Sequence, residues 1–583
     1  MNKYRILLII FILFVGAFLR FYKLDWGEGI YSHPDEYHIV SSVAQLSFPK
    51  QMHPHFFSYG TVTIYLIYFT QEAVKYTSSI FNFQFPALPA GGLIFNSFLV
   101  GRFYSALFST LTIFLVYKIC ESFMRRRFAL LAALLTALTP GLIQQAHFAT
   151  PESALTFFLF LSLLFLIKFA KSDKFLYLIL SSVSLGFALG VKISSIVFLL
   201  PLTAAIVSGA FPKSTSEESK SLLRHLRGDR NGLLGGDVLK KAKVILKTLL
   251  KFIILVLISM GVTAAVFALV APYVFLDFQA FKGNFDYEGS IATGTYLAFY
   301  IRQFANTVPV LFQFEKILPY ALGPGLLIFA TLGFILIIVS FKKPKVEPII
   351  VAVAFLSLFV SNAFLFAKWT RFIAPTFPFF AIFCAFFLER VEKINQKLSY
   401  ILVAVVLIPT ILWTLAFFSI YLKQDVRWTA SKWLQKTAPA NSTFMIEGGN
   451  MVDIPLEGDF KRIGFDFYAL EEDPLTRQKI VEGFLASDYF LVQSRRIFMN
   501  HQKLPKLFPK TANLYDKLFD GELGFAQIKE FHSYPTLSFL GLSVEFSDET
   551  AEETWSVFDH PVIRIFKKVK PLTKETYTKV FEN

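Results

Sequence analysis

The chain has 583 residues, of which 54% are hydrophobic and 17% charged. With a mean hydropathy of +0.53 it is too apolar for a water-soluble globule and reads as a polytopic membrane protein. Its formal net charge of +15 falls in short clusters between apolar runs rather than on one basic arm, which argues against a nucleic-acid partner and for membrane topology.

A hydrocarbon core of roughly 30 Å needs about 20 apolar residues per helix, and on that measure the sequence predicts about eleven spans. They fall near 4–22, 101–120, 128–146, 153–170, 174–191, 194–211, 251–275, 318–340, 348–367, 372–390 and 400–421. The first run is followed by "KLDWGEG" rather than a small-residue cleavage site, so it is expected to stay as a helix. Alternate connections are basic: Lys3 and Arg5; "RRR" at 125–127; Lys168, Lys171 and Lys174; the 212–250 segment; "KKPK" at 342–345; and Arg390, Lys393 and Lys397. This alternation predicts a cytoplasmic N terminus in the cell membrane. It places 23–100, 147–152, the turn at Lys192, 276–317, 368–371 and everything after 421 on the extracytoplasmic side.

Within the first outer loop, 61–80 is apolar at one end only and reads as an interfacial helix. The cytoplasmic 212–250 segment mixes Ser, Gly and charge as a flexible linker does, and ends in a basic surface helix. After Tyr421 an amphipathic helix, a turn and a strand are followed by strand-like runs "DYFLVQS", "AQIKEFHSY", "SFLGLSVEF" and "PVIRIFKKV". Two domains are therefore expected: a transmembrane unit over 1–421 and a soluble α/β unit over 422–583. Cys120 and Cys384 lie in apolar segments, where a disulfide framework or thiolate metal site is not expected.

Charged groups near a bilayer are costly, so those gathered on the outer side stand out: Asp35, Glu36, Arg102, Glu152, Lys192, Asp277, Arg302, Lys368 and Arg371, with His33, His38, His53, His55 and His147. A carboxylate there can take a proton from an attacking hydroxyl, and the cations can stabilise a departing phosphate. Structural roles compete. Asp35 and Glu36 after His-Pro also suit a helix start, Arg102 and Lys192 could be interfacial anchors, and Arg371 could pair with the neighbouring Trp369. The aromatic 276–317 loop reads either as a cover over a pocket or as an ordinary connector.

Eight stretches, in order, resemble the GT-C glycosyltransferases of the protein O-mannosyltransferase and aminoarabinose-transferase group, glycosyltransferase family 39. They are "LRFYKLD", "HPDEYH", "HPHFFSYG", "GRFYSALFSTLTIFLVY", "AHFATPESALTFFLFL", "GFALGVKISSIVFLLPL", "APYVFLDFQAF" and "RFIAPTFPFF". The resemblance implies a sugar donor on a polyprenyl phosphate, an unidentified acceptor hydroxyl on protein, lipid or glycan, and inversion at the anomeric carbon. It implies Asp35 as general base, with Glu36 positioning acceptor or base, or stabilising the loop. Glu152 matches the second acidic position, His53 stands close to the phosphate, and Arg102, Lys192 and Arg371 are candidate donor contacts; Arg302, in the outer loop, joins them as a candidate from its position. The chain departs from the pattern in having Glu at 152 and His55 in place of a proline, and its C-terminal domain matches no acceptor module of that group.

His33, His38, His55 and His147, with the nearby carboxylates, also supply enough donors to consider a divalent metal, although no ligand spacing fixes one. The rival to an enzyme is a transporter or flippase of a lipid-linked substrate, for which midplane charge and two equivalent halves would be expected.

Overall fold

The computed structural model describes residues 3–81, 96–210, 235–339, 345–448, 453–465 and 469–582. Part of the expected linker (212–234) and most of "KKPK" lie outside them. Among the described residues, six helices are long and apolar enough to cross a membrane, or eight if two bent pairs each count as one span. Three shorter apolar helices, Ile6–Phe21, Phe175–Val191 and Ile193–Gly209, lie at further expected spans. Thr61–Phe81 forms a 21-residue helix that is not among the helices apolar enough to cross.

Two runs expected to be single spans are broken. Arg126–Ala137 and Pro140–Ala146 meet at 55°, and Gln313–Leu322 and Pro324–Val339 at 114°. Pro140 has no N–H to return to the Thr136 carbonyl, so the first break leaves backbone acceptors exposed in an apolar interior. Arg20 supplies the donors. Its guanidinium, fully buried, reaches Ala137 O at 2.9 Å, Thr136 O at 3.1 Å and Ser109 Oγ at 2.7 Å. The second break falls at Gly323, where φ is +80°, a backbone state that glycine enters without penalty, immediately before a proline.

The Ser97–Glu121 helix carries the chain from Arg102 to the basic cluster at 125–127, and the bent pair brings it back to His147. The cluster, held by Glu392 with Arg125 Nη1 at 2.8 Å, thus lies at the end of the bundle opposite Asp35.

After the Gln396–Leu422 helix the chain forms a five-stranded sheet in the order β2-β1-β3-β7-β4, with β1 Thr443–Glu447, β2 Lys461–Phe465, β3 Tyr489–Val492, β4 Phe525–Phe531 and β7 Ile563–Lys568. β1 runs parallel to β2 and β3, whereas β7 is antiparallel to β3 and β4. Alternate side chains go to opposite faces: Met445, Phe490 and Val492 enter one apolar cluster, and Phe444, Ile446 and Leu491 enter another with Val426, Ala430 and Leu434 of the Val426–Thr437 helix. "SFLGLSVEF", expected as a single strand run, is instead a hairpin of β5 (Thr536–Phe539) and β6 (Leu542–Glu545), because Leu540 and Gly541 both have positive φ and turn the chain.

The segment around 548–560 fastens this unit to the helices. Trp555 is buried in the helical core, and Gln144 Nε2 donates to Trp555 O at 2.6 Å and to Asp559 at 3.0 Å. Thr370 donates its N–H and hydroxyl to Glu552. His560 lies between Asp548 (2.8 Å) and Asp559 (2.5 Å); burial opposes its charge, but the two carboxylates outweigh it and raise its pKa to about 10.

Candidate active site

"HPDEYH" folds as a helix start. His33, in extended backbone, accepts the Asp35 N–H on Nδ1 at 3.2 Å, and Pro34 opens the Pro34–Ala44 helix with Asp35 and Glu36 in its first turn. Successive helical positions point about 100° apart, and this divides the two carboxylates. Glu36 turns inward and is wholly buried. Arg102 binds it bidentately, Nε to Oε1 at 2.8 Å and Nη2 to Oε2 at 2.9 Å, and the Ala149 N–H donates to it at 2.6 Å. The Arg102 guanidinium sits 5.0 Å from the Trp26 and Tyr31 rings.

Asp35 turns outward, into the wall of a cavity of about 820 Å³. Its carboxylate pairs with Arg371, lies 3.8 Å from His33 Nδ1 and accepts a hydrogen bond from the Tyr59 hydroxyl. Burial works to raise its pKa, but Arg371, His33 and Tyr59 together outweigh burial and hold it down at about 2. Asp35 is therefore an ionised, buried carboxylate on a cavity surface. Among the described residues the buried Arg371 Nε has no hydrogen-bond acceptor.

A second pair lies behind the first. Lys192 Nζ is 3.1 Å from Glu152 Oε1 and rests over the Tyr59 and Phe372 rings at 5.4 and 5.0 Å. Two glycines permit this approach: the Gly60 N–H donates to Val191 O at 2.9 Å, and a Cβ on Gly60 would lie 2.0 Å from Gly190 O. Glu152 opens the Glu152–Ser172 helix and is buried; among the described residues its Oε2 has no hydrogen-bond partner.

The expected site residues thus separate. Asp35, Arg371, Arg302 and His38 line the cavity, whereas Glu36, His53, Arg102, Glu152 and Lys192 do not. Of the roles expected for Glu36, contact with acceptor or base is corrected, because both its oxygens are committed to Arg102 and Ala149; the geometry agrees with the other, stabilising the loop. His53 pairs with Asp277 at 3.1 Å, and the Arg302 guanidinium lies 3.2 Å over the Phe508 ring.

The metal candidates do not converge. His33 spends Nδ1 on the helix cap, His147 faces the Ile143 and Tyr22 carbonyls with its two ring nitrogens, His55 is held by Gln51 at 2.8 Å and His38 stacks on Phe56. Among the described residues no three His, Cys, Asp or Glu side chains are grouped to hold a cation, so this donor set does not fit a resident metal.

Sequence reasoning passed over Tyr59, Ser58, Phe558, Glu472 and Arg496, all in the cavity wall; Trp369, also in the wall, pairs with Arg371 as expected, its ring 4.7 Å from the guanidinium. Ser58 and Tyr59 both lie in "HPHFFSYG", so the motif that contains them was visible; Arg496 and Phe558 carry no local signal. The outer segment contributes the Phe278–Thr293 helix, with Asn284 and Glu288 in the wall and Ser58 Oγ donating to Glu288 at 2.7 Å. Near the same end, an apolar groove of about 640 Å³ runs among Val62, Leu66, Phe69, Tyr104, Phe187 and Val270.

The architecture matches archaeal oligosaccharyltransferase AglB from Archaeoglobus fulgidus in complex with an inhibitory peptide and a dolichol-phosphate. The identity is 13% and the TM-score 0.52, over 100% of this chain and 78% of that one. The chain has the GT-C fold. The oligosaccharyltransferase of the same organism tethered to an acceptor peptide containing the NVT sequon aligns with this GT-C chain at 13% identity and a TM-score of 0.51, covering 97% and 89%. ArnT from Cupriavidus metallidurans bound to undecaprenyl phosphate aligns at 13% identity and a TM-score of 0.44, covering 84% and 93%. Residues 92–223 match the family model described as dolichyl-phosphate-mannose-protein mannosyltransferase. No curated protein matches the chain.

Proposed function

We propose that this protein is an integral membrane glycosyltransferase that moves a sugar from a polyprenyl-phosphate donor to an acceptor hydroxyl on the extracytoplasmic face. The observation that carries the reading is the Asp35–Arg371 pair in the wall of the large cavity. The oligosaccharyltransferase whose architecture matches was solved with a dolichol-phosphate, which agrees with a lipid-linked donor.

In this reading Asp35 accepts the proton of the acceptor hydroxyl as that oxygen attacks C1 of the sugar. The C1–O bond to phosphate breaks, and the polyprenyl phosphate leaves with the bonding pair. One displacement inverts the anomeric centre and needs no covalent enzyme intermediate. Arg371 serves two anions in turn. Without donor it neutralises Asp35; with donor bound the guanidinium also meets a phosphate oxygen, and sharing its charge loosens its hold on the carboxylate and raises the basicity of Asp35. Lys192, backed by Glu152, adds positive potential behind Tyr59. Glu36 and Arg102 anchor the helix that aims Asp35. The apolar groove suits the prenyl chain: its lining includes Val62, three residues from Tyr59 in the cavity wall.

The test is incubation of the purified full chain with radiolabelled polyprenyl-phosphate sugars. Release or transfer of sugar in the wild type and its loss in Asp35→Asn are expected. Movement of the intact lipid across a bilayer, unchanged in Asp35→Asn, would instead make the protein a transporter.

A further inference from the structure

Part of the cavity wall comes from the C-terminal α/β unit, and it contains a cation that the reaction above does not use. Arg496 is 5% exposed and lines the same cavity. Its guanidinium lies 5.9 Å from the Phe299 and Tyr300 rings and 5.3 Å from Phe558. Phe558 in turn packs against His33 at 4.3 Å, so one aromatic ring separates Arg496 from the imidazole beside Asp35. Its neighbour Arg495 is engaged in holding the 549–556 segment, with Nη1 on Ala551 O at 3.0 Å and Nη2 on Ser556 Oγ at 3.0 Å. Arg496 differs: among the described residues its Nε and Nη1 make no hydrogen bond.

A buried guanidinium without acceptors loses the desolvation free energy of each idle N–H. The nearest carboxylate supplies counter-charge but no hydrogen bond. Glu553 Oε1 lies 3.3 Å from Arg496 Nη1 without hydrogen-bond geometry, while its Oε2 accepts from Asn500 at 2.8 Å and Gln303 at 3.1 Å. Burial, its largest influence, raises the Glu553 pKa to about 7.

The topology independently points to a ligand site here. The chain leaves β1 for β2 on one side and crosses back to β3 on the other, which makes the crevice outside the carboxyl ends of β1 and β3 a switch point, where open α/β sheets take their ligands. Gln493, directly after β3, ties the two ends together by donating its N–H to Glu447 Oε2 at 3.0 Å and its Nε2 to Glu447 O at 3.1 Å. Arg496 follows three residues later.

We infer that Arg496 is the recognition residue for an oxyanion, phosphate or carboxylate, carried by the acceptor, and that the C-terminal unit selects acceptors through it. This rests on the glycosyl-transfer reading for the word acceptor. The planar fork of arginine suits bidentate capture of such a group, and its place in the same cavity wall as Asp35 lets an acceptor be held by its anion while its hydroxyl reaches the carboxylate.

The test measures binding, not turnover, on the purified full chain, with radiolabelled glycerol 3-phosphate as a soluble oxyanion and a short polyprenyl phosphate as the donor-side anion. Arg496→Gln should weaken glycerol phosphate binding roughly tenfold or more and change polyprenyl phosphate binding less than about twofold. Glu553→Gln should tighten glycerol phosphate binding about threefold, a gain that misfolding does not produce. N-acetylglutamate as competitor separates carboxylate from phosphate preference, and displacement by either fits the site. No saturable glycerol phosphate binding, no change in Arg496→Gln, a weakening in Glu553→Gln, or equal loss of both ligands in Arg496→Gln would overturn the inference. Asp35→Asn should retain glycerol phosphate binding; if that variant also keeps donor turnover, the proposed reaction fails while the oxyanion site stands.

Discussion

Glu36 separates an architectural role from a chemical one, and its replacement gives the sharpest test of the geometry. In Glu36→Gln the Arg102 guanidinium stays in a pocket with no solvent exposure, between two aromatic rings, but loses its counter-charge. Breaking a buried pair by removing one partner costs about 3–5 kcal/mol. The amide oxygen can still accept from Ala149 or from one Arg102 nitrogen, which puts the expectation at the lower end, about 3 kcal/mol. That is more than a hundredfold in the folded ratio. Thermal unfolding of the purified protein in one fixed detergent should therefore show a clear loss of stability. The double variant Glu36→Leu with Arg102→Met, which removes both charges, should recover much of the loss, because a desolvated pair is replaceable by apolar groups of similar volume. Asp35→Asn, which takes the counter-charge from Arg371 at a site that opens onto the cavity, should lose stability too, but less than Glu36→Gln. A Glu36→Gln protein as stable as the wild type, or a double variant worse than the single one, would refute the assignment of this pair to scaffolding.

Donor turnover per folded molecule should fall about 10²–10⁴-fold in Asp35→Asn, the range for loss of a positioned base, read as release of labelled sugar. The pH dependence has a definite sign. The pKa of Asp35 is depressed to about 2, so what its charge contributes is present above the ordinary carboxylate range and lost only as pH falls through about 2. Arg371→Gln removes the largest lowering influence and leaves burial, so the acid limb of the turnover profile should move to higher pH; an unmoved limb means that Arg371 does not set it. Glu447 gives the opposite sign. It is buried, and burial raises its pKa to about 8 against the Tyr515 and Gln493 hydrogen bonds that lower it. The folded form then holds a proton that the unfolded chain has released, so between the ordinary carboxylate pKa and about 8 stability should decline as pH rises, by up to about 1.4 kcal/mol per unit. Glu447→Gln should flatten that decline in urea titrations monitored in the C-terminal unit.

The parts of this molecule legible in its sequence are those governed by one local rule. Hydrocarbon obliges each spanning segment to satisfy its own backbone, so apolar runs of the right length mark helices at 97–121, 152–172 and 396–422 without knowledge of their neighbours. The same rule conceals the breaks at Thr139 and Gly323, because hydropathy averages over a kink that Arg20, over a hundred residues away in sequence, makes tolerable. Asp35 was visible because His33 and Pro34 mark a helix start on the side opposite the basic clusters. That adjacent carboxylates would part, one to Arg102 and one to Arg371, depends on where two distant helices supply their cations. Arg496 lies further still from local inference: in sequence it is one of two adjacent arginines after a strand, and nothing distinguishes it from Arg495. Only the packed sheet does so, turning Arg495 onto the carbonyls of the 549–556 segment and leaving Arg496 facing the cavity. If acceptor choice resides there, chains with the same transmembrane motifs can differ in acceptor through this attached unit alone, and motifs shared within the membrane part will not report it.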